Sequence, residues 1–595
     1  MAVLLCALAF TGAATVEAAE EAYTVKGQTY TVNVKSGADI SDNVDDTLKA
    51  ARDAATSAEP ITVVIPKGSY KLTETLHIYS NTTLDARGVT LTYSGSEDNT
   101  MLMSGTNGAY GGYDDYNSSK ACAGYKGFEN ITVKGGTWKS KTSNTSTILR
   151  FSHGKNITLD GVTVSGGGCT HQVEVAAIDG FYVKNCTFKD FGDKKANEKQ
   201  EALQLDVVVS ENGFRGVYQD GTLMKNVEVT GCTFDNVPRG VGSHTLQVGG
   251  FFKNVKINNN TFVDVWEEAV TALNYVDCEI KDNTITNCGG GVLVQYFKAT
   301  PETIYTTIFD GKKDYKGEDI HDANTVVSGN VITTKYVASC DEIQGVKVYG
   351  LNVTTDMKGG DGKKIPQGHY YISNVTVENN TITTAGNGIH LMDAKDCVVR
   401  NNKITQKSVS SSDPNRAGYD GIFVEKNVSG TSVTGNSVKN MKGDGIFVQE
   451  SAYVTSLSAN TISGCGRYGI NFFQKSGTTE DIVLNNITNC KSGGVMISTS
   501  CKITNITNNV ISLKAGDGAQ RLVPLAASSP ADRNGFYGYP DGVAVFFLLY
   551  RQGVYYQADC LPPCLLFGTV EAISQFTWVC IIAKLDKKGG VQTFA

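Results

Sequence analysis

An asparagine that returns at many intervals of 22 to 25 residues, a second line of alternating apolar strands, and one amphipathic helix ahead of both predict an all-β chain coiled as a right-handed parallel β-helix. The asparagines are Asn260, Asn283, Asn330, Asn380, Asn402, Asn436, Asn460, Asn485 and Asn509, each two residues before a large apolar residue. A short amide repeated at a corner tolerates left-handed backbone and can bond to its copy in the next coil. The strand line runs through Val173, Leu203, Leu246, Val270, Val292, Ile389, Ile422, Ile446, Ile470 and Val495, with the period of two that marks half-buried strands. Two or three short strands per coil, stacked at ~4.8 Å, predict about 13 coils over ~60 Å, with parallel crossovers of one hand.

Residues 1–19 begin with the apolar run Leu4-Leu5-Cys6-Ala7-Leu8-Ala9-Phe10 and end in small residues, the pattern of a secretory signal without its basic start. Export follows, to the medium or the surface of a bacterial cell. In residues 42–57, Val44, Leu48, Ala51 and Ala55 fall at three-to-four spacing, so a helix there can cap the open core of the first coil. Next come Ile61-Thr-Val-Val-Ile-Pro-Lys-Gly-Ser-Tyr70 and Leu84-Asp-Ala-Arg-Gly88. With the Asn-x-Thr-Ile coils, they resemble the pectate-lyase-like superfamily of parallel β-helix proteins over residues 24–511. The resemblance implies the fold, while lyases, hydrolases, epimerases, tailspikes and adhesins share it. The domain reading is a β-helix over residues 20–512, with an insertion at 299–367. In residues 513–595 the asparagine units stop and the segment carries no function that we can assign.

The 53 basic and 60 acidic residues are interspersed, and with a formal charge of -7 they leave no basic stripe for nucleic acid. No later segment has the ~20 apolar residues of a spanning helix, so no membrane span is expected. Most of the fifteen cysteines follow the repeat: Cys288, Cys465 and Cys490 share one position, and Cys278, Cys397 and Cys501 another. They read as small stacking residues, not as a disulfide framework. No Cys/His cluster has zinc-ligand spacing, so no metal site is assigned. Asp420-Gly and Asp444-Gly repeat on one column and leave calcium open, although a turn aspartate before glycine is the plainer account. The expected partner is a polysaccharide, and the protein is taken as a monomer.

Two residues before the inward positions of four successive coils lie His171, Glu201, His244 and Glu268, which the pattern places in one column; Asn387, Asp420 and Asp444 occupy the same place later. A second outward column holds Glu174, Gln204, Gln247 and Thr271, and Asp206 closes its strand. Arg239 lies on the turn leading in, where it could hold a sugar carboxylate or sulfate. Glu201, Asp206, His171, His244 and Glu268 are therefore candidate catalytic groups. Candidate binding groups are Glu174, Gln204, Arg239 and Gln247, with Tyr113 and Tyr116 of a glycine-rich insertion suited to stacking on sugar rings. The plain alternative is a structural polar ladder. Polygalacturonase-type Gly-His-Gly and Arg-x-Lys segments are absent, and Gly242-Ser-His244 keeps only the histidine of an epimerase Asp-Pro-His motif. Elimination needs a carboxylate neutraliser and a base, which Arg239 with a histidine supplies. Hydrolysis needs two carboxylates ~5 to 9.5 Å apart. The residues support a polysaccharide-active enzyme of either kind, with a non-catalytic glycan-binding β-helix as the alternative.

Overall fold

The computed structural model describes residues 21–105 and 120–512, apart from 169, 193–199, 209–215, 246–249, 296–321, 337–342, 354–356, 359–363, 366, 409–418, 450, 474–477 and 499–500. It also describes the tail strands Val543–Arg551, Val554–Tyr555, Thr577–Leu585 and Val591–Thr593. The chain is a right-handed parallel β-helix. Val375–Glu378, Thr381–Thr384 and Asn387–Met392 make one coil, and each pairs in parallel with its counterpart one coil on: Val398–Arg400, Lys403–Gln406 and Ile422–Val424. The third strand of each coil builds the ladder that matters for function. Its inward column runs Leu149, Val173, Leu203, Val241, Val270, Val292, Val346, Ile389, Ile422, Ile446, Ile470 and Val495.

The core is filled by such columns. Phe188, Phe234 and Phe262 stack face to face at 4.7 and 4.8 Å, the spacing of the strands that carry them. At the neighbouring corner, each buried asparagine uses its whole amide. In Asn402, Oδ1 accepts from the backbone N–H and Nδ2 of Asn380, while Nδ2 donates to the Val377 carbonyl and to Asn436 Oδ1. The pattern repeats without a break from Asn260 to Asn509. One detail differs from expectation. The left-handed residue is the one before each ladder asparagine (Asn259, Asp282, Gly329, Asn379, Asn401, Gly435, Ala459, Leu484 and Asn508, with φ between 55° and 67°), so the amide is selected for its bonds and not for its backbone.

The helix Ser41–Ala54 buries Val44, Leu48 and Ala51 against the strands of the first coils, which closes the core as the spacing predicts. Asp45 fixes it by accepting from the backbone N–H of His77 and lying 3.0 Å from that ring's Nδ1. The described cysteines are buried, and no disulfide joins them. At the other end, the last parallel strand, Val510–Ser512, lies antiparallel to Thr577–Leu585, which also pairs with Val543–Arg551. These tail strands are not copies of the repeat, whose pattern stops at that point.

Replacing Asn402 with alanine strands donors and acceptors on both neighbouring coils, and a buried unsatisfied group costs about 1–3 kcal/mol. Denaturant unfolding of Asn402→Ala is expected to show that loss, whereas Lys403→Ala, exposed on the same coil, is expected to stay within about 0.5 kcal/mol of the parent.

Candidate active site

The strand Glu201–Asp206 is buried along its whole length. Leu203 and Leu205 face the core, Gln204 and Asp206 face outward, and Glu201 sits at the corner where the coil turns into the strand. Its neighbours correct the expected columns. Glu201 pairs with Arg239, Leu203 with Val241 and Gln204 with Gly242. Arg239 therefore takes the slot between Glu201 and Glu268 that the spacing predicts for His244, and Gly242 takes the slot predicted for Gln247. Gln247, Tyr113 and Tyr116 lie outside the described residues. The misreading arose because residues 239–246 carry two apolar residues of suitable parity, Val241 and Leu246, and the pattern was aligned on the second.

His244 nevertheless reaches Glu201. Ser243 Oγ donates to the Leu205 carbonyl and bonds to the Tyr275 hydroxyl at 2.8 Å, which anchors the turn in the core. With no side chain at Gly242, His244 lies over Gln204, whose Nε2 is 3.4 Å from each ring nitrogen. His244 Nδ1 stands 2.9 Å from Glu201 Oε2, and the ring stacks on His171 at 5.5 Å. His171 Nδ1 is 2.9 Å from the Glu201 carbonyl oxygen and 3.6 Å from its Oε2. Burial opposes charge on Glu201, but His244, His171 and Arg239 outweigh it and bring its carboxyl down to about 2. Burial likewise holds the His171 pKa below the ordinary imidazole value, whereas at His244 the Glu201 carboxylate overcomes burial and raises it. His171, Glu201 and His244 each offer a ligand atom within 4.8 Å of the others, so these residues could hold a metal ion.

Arg239 is committed to protein carboxylates. Its Nη2 donates to Glu267 Oε2 at 2.7 Å, its Nε lies 3.2 Å from Glu268 Oε2, and its Nη1 is 3.7 Å from Glu201 Oε1. The guanidinium expected to receive a sugar carboxylate or sulfate is thus engaged by three glutamates. Glu268 is bound in the same group, and Glu267, which the repeat did not single out, is its second anchor. On the outward column, Glu174 Oε2 accepts from Arg150 Nε at 3.1 Å and from Thr147 Oγ1 at 3.2 Å. Arg150 was also missed, although it holds the same column position one coil earlier. Asp206 differs from all of these: burial and the negative charge of Glu174 push its carboxyl up to about 7.

Loops wall this region. The Gly124 N–H donates to Asp220 Oδ2, the Tyr125 hydroxyl to the Leu223 carbonyl, and His153 bridges the Gly124 and Tyr218 carbonyls. Farther along the ladder, Asp420 and Asp444 accept bonds from Arg467 Nη2 at 3.3 and 2.7 Å, so a guanidinium supplies the cation beside them. The outward column there turns aromatic, with His390, Phe423 and Phe447 stacked at 4.6 and 5.2 Å.

A family model described as the right-handed β-helix region matches residues 173–356 and 367–520, more than half of the chain. The chain belongs to the right-handed β-helix family. Among solved structures, this β-helix is similar to a tailspike protein of E. coli bacteriophage HK620 in complex with pentasaccharide: 11% identity, 95% of this chain and 90% of that one, TM-score 0.50. It is also similar to PfbA, a surface adhesin of Streptococcus pneumoniae, at 15% identity over 78% of this chain and 91% of that one, with a TM-score of 0.45. The A-module of the Azotobacter vinelandii mannuronan C-5 epimerase AlgE6 matches at 12% identity over 81% of this chain and 97% of that one, with a TM-score of 0.41. No curated protein matches the chain. No described helix is long and apolar enough to cross a membrane.

Asp206 binds its proton more tightly in the folded chain than in the unfolded one. Its contribution to stability is complete below the ordinary aspartate value of 3.8 and is lost as pH rises through about 7. Unfolding free energy measured against pH is expected to fall across that window, less steeply in Asp206→Asn; the remaining slope belongs in part to Asp420, raised to about 7 by its own burial.

Proposed function

We propose that this protein is a secreted glycoside hydrolase that cleaves a polysaccharide at the ladder face around Asp206, with Asp206 as general acid and Glu174 as the second carboxylate. The observation that carries the reading is the divergence of two neighbouring carboxyls: Asp206 keeps its proton to about 7, while Glu174 is ion-paired with Arg150. An acid and a base set apart by their surroundings are what glycosidic cleavage requires. Asp206 pairs with Ala176, two residues along the strand from Glu174, so the two side chains are diagonal neighbours on one face. Such neighbours stand about 7–8 Å apart at the backbone. A separation of that size between the carboxyls themselves would leave room for a water and correspond to inversion at the anomeric carbon.

Elimination is less well supported, because Arg239, its expected neutraliser, is already bound by glutamates. Export and a glycan partner accord with the surface adhesin and the pentasaccharide-bound tailspike among the similar structures. The aromatic column from His390 to Phe447 offers apolar edges to a chain of sugars lying along the same ladder.

Purified protein incubated with acidic and neutral polysaccharides is expected to release reducing ends without the absorbance of an unsaturated uronate. Asp206→Asn is expected to lose about 10²- to 10⁴-fold in kcat with its fold intact, whereas Asp444→Asn retains activity. Unsaturated products would establish elimination instead, and glycan binding without any cleavage by the parent protein would establish an adhesive role.

A further inference from the structure

We propose that His171, Glu201 and His244 form a binding site for one divalent transition ion of the zinc class. The ligand types are two imidazoles and a carboxylate, a set that suits zinc and its first-row neighbours and not calcium, which takes oxygen ligands in larger number. The sequence hides the set because its members are 30 and 43 residues apart on three different coils. Folding brings their ligand atoms within 4.8 Å of one another.

The two carboxylate–imidazole separations lie close to those an ion sets. Bonds of about 2.0–2.1 Å in a tetrahedral shell set ligand atoms roughly 3.3 Å apart. Glu201 Oε2 stands 2.9 Å from His244 Nδ1 and 3.6 Å from His171 Nδ1, on either side of that value. Small shifts of the two rings would equalise the separations. The His171 Nδ1 now lies 2.9 Å from the Glu201 carbonyl, to which it donates, so ligation requires that this proton leave and that the ring rotate to bring the nitrogen from the carbonyl to the ion.

A second observation is independent of these separations. The other oxygen of Glu201, Oε1, is fully buried and accepts no hydrogen bond. The nearby Arg239 Nη1 stands 3.7 Å away, beyond hydrogen-bond length, so this oxygen keeps acceptor capacity that an ion held by both carboxylate oxygens would take up. Arg239 touches three carboxylates, Glu201, Glu267 and Glu268, so an ion at Glu201 would stand among acidic groups as well as near that guanidinium.

Three protein ligands leave a fourth position open. His244 is the exposed member of the set, with 29% of its side chain accessible, so that position can be reached from the outer face. There the ion would take water or, on the hydrolase reading, a hydroxyl or carboxylate of the bound glycan. Ion binding itself does not depend on that reading and is measured without substrate.

Full-length, tag-free protein stripped with chelator and titrated with zinc in a calorimeter is expected to bind one ion that excess calcium does not displace and that the double variant His171→Ala/His244→Ala lacks. The loss in either single variant is expected to be about 100-fold or more in affinity. Zinc-edge X-ray absorption on the loaded parent protein is expected to show a nitrogen and oxygen shell with imidazole outer scattering, a result that stands even if a variant fails to fold. A sulfur shell, from the cysteines, or zinc binding unchanged in the double variant would overturn the proposal, as would no stoichiometric binding. Loss of metal binding with cleavage retained would locate the ion outside the hydrolytic step, and cleavage absent with metal bound would sink the hydrolase reading alone.

Discussion

A coil can hold side chains in columns only if every turn of the chain bends at the same residue, and the buried asparagine at that corner enforces the bend. Its amide accepts from the coil before it and donates to the coils on both sides, so a coil that slipped by one residue would break bonds on both sides. Backbone pairing alone tolerates slippage, since every residue offers the same N–H and C=O. The asparagine makes one register better than its neighbours. Aromatic stacking at 4.7 and 4.8 Å does the same for the first half of the core, where Cys186 and Cys232 stand near the corner before the asparagines begin.

That strict register gives the face its chemistry. Neighbouring coils place unlike groups a strand apart: Glu174 beside Gln204, Glu201 beside Arg239, Arg150 beside Glu174. Burying such groups is expensive unless each charge is matched. Here Arg239 meets three glutamates and Glu201 meets two histidines, while Asp206 keeps its proton instead of finding a cation. Buried charges fixed by partners need little rearrangement before they act, which is what a preorganised acid–base site requires.

The repeat was legible because it is periodic, and the cap helix because Val44, Leu48 and Ala51 sit at helical spacing; both depend on burial, which leaves a pattern in sequence. The inward strand residues were legible for the same reason, except at residues 239–246. There Val241 and Leu246 both satisfied the pattern, and the glycines around them carried no apolar signal to choose between them. Glu201 and His171 meet as the column predicts, since Val173 pairs with Leu203, whereas His244 reaches Glu201 from outside the column, three residues beyond Val241. Glu267 and Arg150 were missed because a buried ion pair leaves no periodic trace. Their only signal was position, Arg150 one coil ahead of Glu174 and Glu267 next to Glu268.

Each corner asparagine bonds only to the coils on either side of it, and from Asn380 to Asn509 successive corners are interchangeable. Removing or duplicating one complete coil in that stretch would leave every remaining amide with a donor and an acceptor. The corner amides there fix no particular number of turns, although the group Asp420, Asp444 and Arg467 ties three of those coils together. The stretch from Arg150 to Glu268 has no such freedom, because each of its coils contributes a different charge and the loss of any one would leave another buried without its partner. The molecule thus joins coils with uniform corners to a segment in which each coil holds a charge that its neighbour needs.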